Sequence, residues 1–163
     1  MVLRYGKPLL QLPLVCDGSG SEFSVTHALD CRKGGLVTQR HNEVRDTICS
    51  LASIVWGQVT REPIVNDSLD SGDSSLIADV AICRVWQRQA MLFFDVRVLD
   101  TDAKSYLHRS PHSILATAER EKYFAACVDS HVSFTPLCFS VDGLMGTEAK
   151  SFLDRLGNFL AVK

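Results

Sequence analysis

The most informative stretch of this chain for its fold is LIADVAICRVWQRQAMLFFDVRVL, residues 76–99. The run 76–85 carries Asp79 among apolar residues, and the run 91–99 is apolar apart from Asp95 and Arg97. Runs of this length and composition are typical of buried β-strands. The link between them, 86–90, is short, so the stretch predicts an antiparallel hairpin.

The flanking segments predict helices and further strands. A helix at about 38–59 follows from one apolar stripe, whose members are Val44, Ile48, Leu51, Ala52 and Val55. A short strand is expected near Pro63, and residues 16–36 are expected to form a loop. A helix at 113–130, a strand at 132–140 and a helix at 147–161 complete the chain, with Pro136 placing the strand at a sheet edge. This order predicts an α/β (α+β) fold with a mixed sheet flanked by helices.

Composition restricts the class of protein. The chain has 163 residues, 46% of them hydrophobic, which suits one domain, 38–163, behind an N-terminal tail and Cys/His segment, 1–37. No apolar run is long enough for a membrane span, and residues 8–15 are too short and broken for a secretory signal. The net charge of −2 means that DNA binding would need a local basic patch. Six cysteines without a disulfide-framework spacing favour a reducing, intracellular compartment.

The two aspartates of the hairpin are candidate metal ligands. A buried carboxylate is costly unless it is paired or binds a cation, and Mg²⁺ prefers carboxylate oxygens. Arg97 lies two residues after Asp95, hence on the same face of the strand, where it can offset negative charge or stabilise a phosphate. Glu43, near the start of the first helix, offers a third carboxylate. Two alternatives remain open: Asp79 at a strand end, and Asp95 in an ion pair with Arg97.

The order Glu43, Ala78-Asp79 and Asp95-x-Arg97 resembles the PD-(D/E)xK nuclease signature, whose core runs helix, three strands, helix, strand. Ala78 stands at the proline position of that motif, and Arg97 stands at the lysine position. Arginine is a poor substitute there because its pKa cannot be tuned as that of lysine can. In some branches the lysine lies on the following helix, where Lys122 would correspond. The resemblance implies a catalytic set of Glu43, Asp79, Asp95 and Arg97 or Lys122, with Mg²⁺ or Mn²⁺ as cofactor.

A second resemblance lies upstream. Cys16, His27 and Cys31, followed by Arg40-His41-Asn42, resemble the Cys-Cys-His-Cys knuckle and RHN motif of restriction-like endonucleases in certain non-LTR retrotransposons. The family has two cysteines before the histidine, whereas this chain has one. Zinc would need four ligands, and Cys16, His27, Cys31 and His41 can supply them. The alternatives are a degenerate knuckle held by packing, and a His41 that is hydrogen-bonded to backbone.

Together the two resemblances cover about residues 16–123 and imply a function. A metal-dependent endonuclease would nick target DNA, so that the reverse transcriptase domain of the same polyprotein primes on the new 3′ end. Arg40 and His41 would contact DNA, and the protein would act inside the cell, in the nucleus. The alternative is a catalytically inactive remnant that binds DNA or protein, favoured by Arg97, the incomplete knuckle and the acidic net charge.

Overall fold

The computed structural model of the chain describes residues 13–31, 33, 35–66, 76–86, 88, 90–119 and 134–163. These residues divide into two compact units, one within 1–42 and the other within 43–163. The candidate lysine Lys122 and the second half of the predicted helix 113–130 lie outside the described residues. No helix in the described ranges has the length and apolar character that a membrane crossing requires.

The first unit contains a tight turn and a short helix. The turn is closed by an antiparallel bridge between Val15 and Glu22. Helix α1 (Val25–Asp30) follows, and the Ser24 hydroxyl caps it by accepting from the His27 N–H at 3.0 Å. The prediction of a loop throughout 16–36 was therefore wrong here, because a serine cap stabilises one helical turn inside a polar segment.

The longest helix is α2 (Leu36–Val55). It confirms the predicted helix but ends four residues before 59, ahead of Trp56 and Gly57. Ile48 and Ala52 of its apolar stripe are buried, and so is Arg45, which lies three and seven residues before them on the same side.

Within the described residues, six strands form two sheets: β1 (Val59–Arg61), β2 (Ile64–Asn66), β3 (Leu76–Ile77), β4 (Val80–Cys83), β5 (Met91–Leu99) and β6 (Phe134–Ser140). The main sheet has the order β1-β4-β5-β6, and β2 pairs with β3. The pairs β1–β4 and β4–β5 are antiparallel, and β5–β6 is parallel. The predicted mixed sheet and the β4–β5 hairpin are confirmed.

The predicted strand 76–85 is broken in the middle. Leu76 and Ile77 pair with β2, whereas β4 begins only at Val80. The Asp79 side chain bonds to the backbone of β5, which turns the chain between the two strands. At the other end Arg84 has a left-handed φ of 72°, so the regular strand stops before it. Pro136 lies in β6, which is an edge strand of the described sheet, as predicted.

Helices cover both faces of the main sheet. On one face Phe94 and Val96 pack with α2 and with α4 (Thr147–Ala161), where Phe94 and Phe152 have ring centroids 5.0 Å apart. On the other face Leu99 and Cys138 pack with Leu115 and Ala118 of the helix at 111–119, named α3 here. Residues of β5 therefore alternate between two buried environments, as a strand period of two requires. The predicted helix 147–161 is confirmed at both ends.

Candidate metal centre and acidic strand site

The turn and α1 of the first unit bring three metal-ligating side chains together. One ligand atom each from Cys16, His27 and Cys31 lies within 4.8 Å of the others. The two sulfur atoms are 3.8 Å apart, and both cysteines are buried. Cys31 follows α1 directly, four residues after His27, so one helical turn presents both side chains to the cysteine in the turn. The predicted association of these three residues is confirmed.

The donor set suits a soft or borderline cation. Thiolate and imidazole are the ligands that zinc takes in structural sites. The group can therefore hold a metal such as zinc. His41, the fourth ligand suggested by the sequence, is not a member of the group. Its Nδ1 lies 3.3 Å from the Asn42 side-chain oxygen.

Ser19, which was not predicted from the sequence, contacts this group. Ser19 lies three residues after Cys16, and its hydroxyl is 2.9 Å from His27 Nε2. Hydrogen bonds from Ser19 and then from His27 lower the pKa of the Cys16 thiol from 9.0 to about 6, against the opposing effect of burial. A spacing of Cys-x-x-Ser was a signal that could have found it, since the cysteines of zinc sites are commonly separated by two residues.

We expect the Cys16 thiol to titrate near pH 6 in metal-free protein. The measurement is thiolate absorbance at 240 nm as a function of pH, with the Cys16→Ser variant subtracted. Ser19→Ala should move the midpoint upward, because the Ser19 hydroxyl is the largest cause of the lowered pKa. A Cys16 midpoint that stays near 9 in the wild-type chain would contradict this assignment.

Arg40 of the RHN motif has a structural contact within the first unit. Its Nη2 donates to the Leu29 backbone oxygen of α1 at 2.8 Å. Its Nε is buried and has no hydrogen-bond partner among the described residues. Arg40 therefore holds α1, and the predicted contact of Arg40 and His41 with DNA stays a prediction.

In the second unit Asp79 is hydrogen-bonded to the backbone of β5 at the residues before and after Asp95. The Asp79 N–H donates to the Phe94 oxygen at 3.0 Å, and its Oδ2 accepts from the Val96 N–H at 2.6 Å. The Asp79 carboxylate thus accepts the Val96 N–H in place of a backbone carbonyl, just before β4 begins at Val80. Asp79 is half-buried, whereas Asp95 is 9% exposed.

Replacing Asp79 with alanine should destabilise the fold by about 1–3 kcal/mol, because the Val96 N–H would be buried without an acceptor. Val96 is only 2% exposed, so water cannot easily replace the lost partner. Asp79→Asn keeps a carbonyl oxygen in place and should cost clearly less. Urea denaturation of both variants is the measurement, and equal stability of the two would show that the hydrogen bond is not the stabilising feature.

Asp95 and Arg97 share one face of β5, as predicted from their spacing. Phe94, Val96 and Val98 point to the core under α2 and α4, so the two charged residues point to the face covered by α3. Asp95 is paired in register with Pro136 of β6. Whether the Asp79 and Asp95 carboxylates converge on one ion stays a prediction.

Glu43 lies apart from this pair. It is exposed and lines an apolar groove with Phe139 and Leu153, which pack on the sheet face under α2 and α4. Within the described residues, Glu43, Asp79 and Asp95 do not form a group with oxygen atoms all within 4.8 Å of one another. The role of Glu43 as a third ligand therefore stays a prediction.

A buried arginine of α2, Arg45, was not predicted from the sequence. Arg45 Nε donates to Asp46 Oδ1 at 2.9 Å, and its Nη1 bonds to Glu62 Oε1. The pKa of Arg45 is raised, chiefly by the hydrogen bond to Asp46 and further by the charges of Asp46, Glu62 and Asp79. The Glu62 backbone N–H also donates to the Asp79 backbone carbonyl oxygen at 2.9 Å. Arg45 thus pairs with Asp46 and Glu62, and its charge also acts on Asp79. Its position on the buried stripe of α2 was the available signal.

No protein-family model matches this chain, and no curated protein matches it.

Proposed function

We propose that the second unit is a metal-dependent DNA endonuclease domain of the restriction-like, PD-(D/E)xK type. The observation that carries the proposal is the position of Asp79, which bonds to β5 at Phe94 and at Val96, on either side of Asp95. Two acidic residues, one nearly buried and one half-buried, are thereby held at one end of the β4–β5 pair.

The order of elements supports the same proposal. Helix α2 is followed by β1, β4 and β5, then by α3 and β6, with the β5–β6 pair parallel. This is the sequence of elements that the resemblance implies, with the short β2–β3 pair inserted between β1 and β4. Asp79 directly precedes β4 and Asp95 lies within β5, which is where the two acidic motifs are expected.

The charges around the aspartates suit a divalent cation and a phosphate. The Asp79 carboxylate accepts from the Val96 N–H through Oδ2, and the same carboxylate would bind the metal together with that of Asp95. A bound Mg²⁺ or Mn²⁺ would lower the pKa of a water molecule and stabilise charge on the phosphate. Arg97, on the same strand face as Asp95, would stabilise the phosphate oxygens. Arg45 would limit the repulsion between the two carboxylates, since its charge is felt at Asp79.

The proposed substrate is double-stranded target DNA of a retroelement. The domain would nick one strand for priming by a reverse transcriptase domain of the same polyprotein, in the nucleus. Arg40 and His41 would add contacts to the DNA backbone. These assignments rest on the resemblance of the motifs between residues 16 and 123.

A second candidate is a non-catalytic DNA- or protein-binding remnant of such a domain. Three observations favour it: Asp79 Oδ2 is occupied by a backbone N–H, Glu43 does not join the aspartates, and Arg97 stands where the family has lysine. In this case the Asp79–Val96 hydrogen bond would stabilise the fold of a domain that no longer catalyses cleavage.

Cleavage of supercoiled plasmid separates the two candidates. Nuclease activity predicts nicked circles with Mg²⁺ or Mn²⁺ and none with EDTA. A remnant predicts no product under any of these conditions. Band shifts of the same plasmid would then distinguish DNA binding from protein binding.

A further inference from the structure

The turn at residues 16–21 holds Ser19 beside the metal-ligating group of the first unit. The Gly20 N–H donates to the Cys16 oxygen at 2.8 Å, and the Cys16 N–H donates to the Ser21 oxygen at 2.8 Å. Gly20 has a φ of 70°, which lets the chain turn tightly enough to close both bonds. The side chains of Cys16 and Ser19 therefore come from one turn, and both contact residues of α1 or its C-terminal end.

The contact of Ser19 lies on a nitrogen atom that can bind metal. The Ser19 hydroxyl is 2.9 Å from His27 Nε2, and Cys16 and Cys31 close the other side of the group with sulfur atoms 3.8 Å apart. Three strong ligands for zinc thus lie together, and a fourth side chain, Ser19, contacts one of them. The fourth is a neutral hydroxyl, which is not among the ligands that zinc ordinarily takes from proteins.

We propose that Ser19 stands beside this centre where a fourth ligand would be needed but does not bind the metal, so that a bound zinc ion is held by three protein ligands and keeps one coordination position exchangeable with solvent. A closed structural site has four strong protein ligands, whereas a site with three keeps an open position. The first unit would therefore bind metal more weakly than a four-ligand knuckle does, and a small external ligand would reach the ion. This inference concerns the first unit and does not depend on the nuclease activity proposed for the second.

Cobalt(II), which reports thiolate ligands by its charge-transfer absorption, is the probe. Titration of the wild-type chain should give the absorption of two thiolates, and Ser19→Cys should add a third. Zinc affinity, measured by competition with a chromophoric chelator, should rise at least about tenfold in Ser19→Cys. Loss of a group that only orients a ligand already changes metal affinity by about 10- to 100-fold, and the cysteine introduced in Ser19→Cys would be a ligand itself. Ser53→Cys is the control, because it adds a thiol on the exposed face of α2.

Imidazole tests the open position directly. It should change the spectrum of the cobalt-loaded wild-type chain and leave that of Ser19→Cys unchanged. The proposal is overturned if Ser19→Cys gains neither absorption nor affinity over Ser53→Cys. It is also overturned if imidazole affects both proteins equally, or if the wild-type chain and Ser19→Cys both fail to bind cobalt.

Discussion

Asp95→Asn is expected to remove most metal-dependent DNA cleavage while the melting temperature without metal stays the same or rises. The substitution keeps the volume of the side chain and removes one negative charge from a residue that is 9% exposed. A lost metal contact of about 3 kcal/mol in the transition state lowers the cleavage rate on the order of 100-fold. Relief of repulsion with Asp79 would offset any cost to the fold.

The matched control is Asp154→Asn on α4. Asp154 is exposed and pairs with Lys150 at 2.9 Å on the same helix, a type of contact that contributes little to stability. It should leave both cleavage and melting temperature nearly unchanged. If Asp95 serves instead as the ion-pair partner of Arg97, Asp95→Asn would leave the Arg97 guanidinium without that partner and destabilise the fold. A clear drop in melting temperature would therefore count against the nuclease site.

Cys31→Ser is expected to remove zinc from the first unit. One of three clustered ligands is lost, so affinity should fall at least about 100-fold, more than outer-shell substitutions typically cause. Metal analysis of purified protein, with about one equivalent expected for the wild-type chain, is the measurement. Cys83→Ser serves as control, because Cys83 lies at the end of β4 and outside the ligand group.

Metal binding should also stabilise the first unit. Ligand geometry is seldom formed in an unfolded chain, so the free energy of binding adds to that of folding. Chelation should lower the protection of α1 against hydrogen exchange in the wild-type chain and have no effect in Cys31→Ser. Equal, near-zero zinc in both proteins would leave only a degenerate knuckle held by packing.

The sequence predicted those features that depend on periodicity. Helix α4 and the β4–β5 hairpin follow from apolar spacing, because burial of one helix stripe or of two adjacent strands leaves few other arrangements. The grouping of Cys16, His27 and Cys31 was predicted from the order of the motif, whereas the helical turn that places His27 and Cys31 on one side was not predicted.

Other features depend on single contacts that periodicity does not report. The break at Asp79 exists because a carboxylate replaces a backbone acceptor, which no pattern of apolar residues indicates. Arg45 occupies a position on a buried stripe and is tolerated there only because Asp46 and Glu62 pair with it. Ser19 was not predicted because a serine is not an ordinary metal ligand, although its hydroxyl contacts His27.

Binding of Mn²⁺ to the second unit tests the central claim, that Asp79 and Asp95 hold a hard divalent cation. The measurement is loss of the free Mn²⁺ signal in electron paramagnetic resonance, with zinc added first to occupy the Cys/His group. The wild-type chain and Asp154→Asn should take up Mn²⁺ alike, and Asp95→Asn should bind it at least about tenfold more weakly. Equal uptake by the wild-type chain and Asp95→Asn, or no uptake by either, would contradict the claim.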